Sequence, residues 1–155
     1  MTAFTHAVYT LILALWVGGI SLFTFIITPK IFRSYDRDAA GEIVGKLISS
    51  YFLFTLLLSV LVLLLLPLCR SSFGQTGFRW SLVLAVIAVS INAFVFFKLH
   101  PNISRVKQDV QSFESLPDTP ARKKFQKLHA MSMTLNLILL ADGAALLLIG
   151  TSLEK

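Results

Sequence analysis

Acidic residues are scarce in this chain, with eight Asp and Glu against fourteen Lys and Arg in 155 residues. Charged residues of both signs together reach only 14%, well short of the quarter typical of a soluble domain. With 55% hydrophobic residues and a mean hydropathy of +0.77, that scarcity excludes an ordinary water-soluble fold. The single cysteine, Cys69, excludes an intrachain disulfide. The N-terminus lacks the basic region and small-residue cleavage site of a signal peptide, so the first apolar stretch is expected to remain as a helix. Enzyme signatures are missing as well: there is no phosphate-binding glycine loop, nucleophile elbow, zinc-protease helix or paired-carboxylate arrangement, which leans against catalysis.

Long apolar runs are what the chain does have. Residues 7–28, 47–66, 80–97 and 130–149 are each long enough to cross a hydrocarbon core of ~30 Å, which takes about 20 helical residues. None alternates polar and apolar residues, so a membrane barrel is excluded. The prediction is an all-α integral membrane four-helix bundle over residues 1–155, forming one domain without internal repeats, with the third and fourth helices extended beyond the bilayer.

The basic excess is segregated. Lys30, Arg33, Arg37, Lys46, Lys98, Arg105, Lys107, Arg122, Lys123, Lys124 and Lys127 fall in the first and third connections, whereas only Arg70, Arg79 and Lys155 fall on the other side. The positive-inside tendency then predicts an inner-membrane protein with both termini outside. The same distribution points to anionic lipid headgroups as partners and away from nucleic acid.

Local signals set the expected boundaries. Thr28-Pro29 should end the first helix, because proline disfavours helical geometry before it. Asp36 or Asp38 is suited to cap the second, with Glu42 early in it. Gly41 and Gly45 form a small-xxx-small pair, and Lys46 and Tyr51 follow at the membrane edge as a snorkelling lysine and an interfacial ring. Pro67 should stop the second span, and Ser71 to Gly77 reads as an outer loop. Val106, Val110 and Phe113 suggest an amphipathic continuation of the third helix past Pro101, broken at Leu116-Pro117-Asp118. Thr119 as cap with Pro120 at the first position starts the fourth helix.

Candidate functional residues concentrate where that helix enters the apolar run. His129, Ser132, Met133 and Asn136 lie at i, i+3, i+4 and i+7, on one face. Asn92 and Asn136 fall at similar depth, roughly 10 Å in by helical rise, and are expected to share a polar layer as a clamp or as part of a ligand path. His129 and Met133 form an N/S pair suited to Cu(I) or to one side of a haem iron, with ordinary packing as the alternative; Met131 points the other way. His6 is a second candidate metal-ligating histidine, but it lies roughly 30 Å from His129, so one haem cannot join them. His6, Thr10, Ser21, Thr24 and Thr28 form a hydroxyl-rich face read as helix packing, interrupted by Trp16, Gly18 and Gly19, where a neighbouring backbone is expected to approach. Asp142 is the one carboxylate deep in a span, expected either to accept from the Trp16 N–H or to act in a proton or cation relay.

His6, Trp16-Val17-Gly18-Gly19, Phe25, Phe32, Gly45-Lys46-Leu47 and Tyr51-Phe52, together with Phe125, His129, Ser132, Asn136 and Leu137, resemble the transmembrane protein 205-like family over nearly the whole chain. Its characterised eukaryotic members are linked to platinum-drug resistance. The His then Trp-x-Gly-Gly pattern is also similar to copper-resistance-D-type proteins and, more distantly, to haem-binding protoporphyrinogen-oxidising membrane proteins. The resemblance implies His6, Lys46, Tyr51, His129, Ser132 and Asn136 as site positions, and copper or haem b as cofactors to consider. Ile48-Ser49-Ser50 departs from the Phe-Pro that often precedes the aromatic pair in that family. The leading expectation is handling of a small solute or metal ion in transport or tolerance. The alternatives are a haem b-binding redox protein and a ligand-free accessory subunit, forming homo-oligomers or assembling with partner membrane subunits.

Overall fold

A computed structural model describes residues 2–110 and 119–152, and all regular structure among them is helical. The first rod comprises α1 (Thr2–Leu22), a π turn (Phe23–Ile27) and α2 (Thr28–Ser34). The second is α3 (Arg37–Leu65), closed by a 3-10 turn over Leu66–Ser72. The third comprises α4 (Gln75–Phe94), a second π turn (Val95–Leu99) and α5 (His100–Gln108), and the fourth is α6 (Pro120–Ser152). All four rods are long and apolar enough to cross a membrane.

Packing follows the up-and-down order of the chain. Both α1 and α4 pack against α3 and against α6, so the rods close a square in the order α1, α3, α4, α6. Tyr9 and Leu13 of α1, Val62 of α3, Ala85 of α4 and Leu146 of α6 fill its centre. Large apolar side chains such as Phe4, Leu64, Trp80 and Leu148 remain exposed around the outside, which suits lipid and not water. At one end the Tyr9 ring meets Phe73 edge-on at 5.8 Å and lies 4.0 Å from the position of a Cβ on Gly150. The first and last helical segments and the α3 to α4 connection therefore share that end.

The opposite end is built from caps and tight turns. Asp36, between the first two rods, accepts the Ala39 N–H at 2.7 Å, and Thr119 accepts the Arg122 N–H at 3.2 Å ahead of Pro120. Asp36 is thus the cap among the two sequence candidates. The connection is only Tyr35-Asp36, because Lys30 and Arg33, expected in a loop, ride on α2. The α3 to α4 connection is likewise only Phe73-Gly74, with Gln75, Thr76 and Gly77 already helical. Pro67 does end the α-helical geometry of α3 but leaves a 3-10 continuation.

The expected stop at Thr28-Pro29 is overturned, and the reason is the π turn. Thr28 N–H bonds back to Phe23 O, five residues earlier, and His100 N–H does the same to Val95 O. Each wide turn lies two residues ahead of a proline, Pro29 and Pro101. Proline removes a donor and crowds the preceding turn, and the wider turn accommodates both, so the rods run on. The third rod continues past Pro101 as expected, with Val106 buried, and ends at Gln108. Phe113 and the Leu116-Pro117-Asp118 break lie outside the described residues.

Candidate functional site

The two π turns flank a cavity of about 490 Å³ at the capped end of the bundle, within the usual range for ligand pockets. His129, Ser132, Met133 and Asn136 of α6 all line it, as their shared helical face requires. Tyr51 and Phe52 contribute from α3, Phe23, Thr24 and Thr28 from the first rod, and His100, Ile103, Ser104 and Lys107 from the third. Each rod therefore supplies part of the wall.

Its floor is a three-residue relay. Tyr51 Oη donates to Asn136 Oδ1, and Asn136 Nδ2 donates to Thr24 Oγ1 at 2.8 Å. These bonds tie α3, α6 and the first π turn, crossing the diagonal of the square. Phe23, in the same π turn, stacks on Tyr51 with centroids 4.2 Å apart and planes 11° from parallel, which fixes the tyrosine ring. The amide thus has its oxygen and nitrogen assigned by different neighbours.

The two cavity histidines sit against aromatic rings. His129 stacks parallel on Phe125 at 5.7 Å, and His100 meets Phe52 edge-on at 5.5 Å, with its Nε2 3.3 Å from Ser49 Oγ. His129 and Met133 are two donors from one helix. Among the described residues no three His, Cys, Asp or Glu side chains come together as metal ligands. His6 is at the far end, against Tyr9 and Phe73. One haem therefore cannot be paired through His6 and His129, while His129 and Met133 share the cavity wall as an N/S pair.

Other sequence candidates lie elsewhere. Lys46 pairs with Glu42 at 2.7 Å on the exposed surface and does not line the cavity. Asn92 is buried but donates to Ala88 O of its own helix at 3.1 Å; its amide takes no part in the Tyr51–Asn136–Thr24 relay. The expected Asp142 to Trp16 bond is not made, since Trp16 Nε1 and Asp142 Oδ2 are both buried without a hydrogen-bond partner. Gly143 explains this: Trp16 Cε3 and Cζ3 lie 3.4 Å from where its Cβ would be, so the six-membered edge of the indole packs there and Nε1 points away. Gly19 admits the Phe54 ring, 2.7 Å from its would-be Cβ, and not a backbone, while nothing approaches Gly18.

Sequence reasoning missed Thr24 and Thr28, which it assigned to packing, and the basic residues Arg37, Lys107 and Arg122 around the cavity. Thr24 carries one signal, a hydroxyl about one turn inside Thr28, roughly 6 Å in by helical rise and within side-chain reach of the Asn136 level. The basic residues come from three elements, and no periodicity along the chain joins them.

No curated protein and no solved structure matches the chain. The likeness to the transmembrane protein 205-like family rests on the quoted residues alone. A family model does match, over residues 11–112, and that segment holds both π turns and the α2, α3 and α5 parts of the cavity. The chain belongs to the membrane-type family defined by that model, the domain of unknown function DUF4149.

Proposed function

We propose that the protein binds a small solute inside the membrane, in the cavity between its four rods, as part of transport or tolerance. The observation that carries this reading is the combination of a half-open, largely apolar cavity with a polar floor whose groups are already oriented by one another. A bundle needing only stability would be better served by filling that space, since unfilled volume costs packing energy. The basic distribution supports placing the mouth on the cytoplasmic side of an inner membrane, with the termini outside and the rim against anionic headgroups.

Native mass spectrometry of protein purified in mild detergent tests this reading. The expected result is a retained small molecule that is lost in Ser132→Phe, where a ring replaces a buried wall residue. Wild-type protein free of any retained molecule, together with higher thermal stability of Ser132→Phe, would mark the cavity as a packing defect and overturn it.

A further inference from the structure

The cavity is not uniform along its length, and the difference between its walls and its rim names a ligand class. Below the rim the lining is dominated by aromatic and branched side chains. At the rim stand three permanent cations: Arg37 at the start of α3, Lys107 at the end of α5 and Arg122 at the start of α6. Among the described lining residues there is no Asp or Glu.

Lys107 is held in place by the backbone opposite it. Its Nζ donates to Gly41 O at 2.7 Å and lies 3.1 Å from where a Cβ on Gly45 would be. The two glycines let the ammonium settle onto α3 at the cavity edge; a side chain at Gly45 would lift it away. The small-xxx-small pair thus seats a charge.

Dimensions restrict the ligand further. Arg37 and Tyr51 are fourteen residues apart on α3, and Arg122 and Asn136 are fourteen apart on α6. That spacing separates rim from floor by about 21 Å and returns each pair to within roughly 40° on one helix face. A cavity of about 490 Å³ extended over that length suits a small elongated ligand and not a whole two-chain lipid.

We infer that the cavity takes a single-chain amphiphile with an anionic head, a fatty carboxylate or an alkyl phosphate. The chain lies along the aromatic wall toward Tyr51 and Asn136, and the head meets Lys107 and Arg122. The inference rests on the cavity being a binding site and adds the chemistry of what binds. A neutral amphiphile would not engage the Lys107 charge seated on Gly41 and Gly45, and a free anion would leave the apolar walls unused.

The test is a titration of the full-length protein in nanodiscs of uncharged phosphatidylcholine, read by displacement of a fluorescent undecanoate. Laurate and dodecyl phosphate are expected to displace it at tenfold or more lower concentration than dodecanol, with inorganic phosphate inactive; the stronger of the two anions identifies the head. Lys107→Gln and Gly45→Val should each weaken both anions about tenfold and leave dodecanol unchanged, because charge-assisted hydrogen bonds are lost while the slot remains. Equal potency of dodecanol and the anions, or displacement by inorganic phosphate alone, would overturn the ligand class while leaving the cavity as a site. Unchanged displacement in both Ser132→Phe and Met133→Trp, two independent ways to fill the slot, or no saturable probe binding to the wild type, would overturn the cavity reading itself.

Discussion

At the scale of single residues, Asn136 carries the most structure, since its amide joins Tyr51 to Thr24 across the bundle. Asn136→Leu leaves a buried tyrosine hydroxyl without its acceptor and should cost about 0.6–2 kcal/mol, the usual range for interhelical bonds in membranes. Chemical unfolding in detergent, in a double-mutant cycle with Tyr51→Phe, measures it; additive effects would mean the bond contributes nothing. Lys46 supplies the contrast. Its partner Glu42 is solvent-exposed, so Lys46→Gln should leave both ligand binding and the unfolding midpoint unchanged, despite its place among the family-like positions. Asp142 has a buried oxygen with no partner, and Asp142→Asn removes the ionisable group at nearly constant volume. It should stabilise the bundle by about 1–2 kcal/mol, as expected when an uncompensated buried charge is removed. A lower unfolding midpoint would show that the carboxyl is held by a partner and contradict this account.

At the scale of elements, features fixed by neighbours in the chain were legible and those fixed by contact were not. The cap at Thr119 and the shared face of His129, Ser132, Met133 and Asn136 follow from spacing alone, and the structure has them; between Asp36 and Asp38 it was contact that chose Asp36. The prolines were read by the same local rule as helix ends, but Pro29 and Pro101 sit in continuous rods because a π turn precedes each. Nothing in the residue types of Phe23–Ile27 or Val95–Leu99 announces a wide turn. Trp16 and Asp142 were paired by depth, which is correct to within a residue, yet depth says nothing of which ring edge faces the neighbour. Gly143 decides that contact and is the sharper target. Gly143→Val would place a branched side chain where Val17 Cγ2 lies 2.7 Å from the Cβ position and the fully buried Trp16 ring has no room to move. Overpacking of this kind should cost about 1–3 kcal/mol, whereas Gly18→Val, with open space around it, should cost well under half of that. Equal losses in thermal unfolding would place the constraint in helix propensity instead.

At the scale of the whole molecule, composition and run length were enough for an all-α bundle with four membrane-length helices, because hydrocarbon thickness allows little else. The cavity was visible in part. Its α6 wall and Tyr51 were named from the sequence, while its rim depends on three elements meeting at one end. Orientation has a direct check, because the native Cys69 is buried and a single new cysteine reports alone. Under the proposed orientation, with the basic end inward, Gly74→Cys should react with a membrane-impermeant maleimide in intact cells, and Gln108→Cys only after lysis. The reverse pattern would invert the topology and turn the cavity mouth outward.

Whether the cavity or the lipid-facing surface receives an amphiphile is settled most directly by photo-crosslinking. A diazirine-bearing fatty acid, irradiated with the reconstituted protein and mapped by peptide mass spectrometry, should label Phe52, Ile103, Phe125 and Met133, and laurate should compete the label away. Label confined to outward residues such as Phe4, Leu64, Trp80 and Leu148, and insensitive to laurate, would contradict a ligand site inside the bundle.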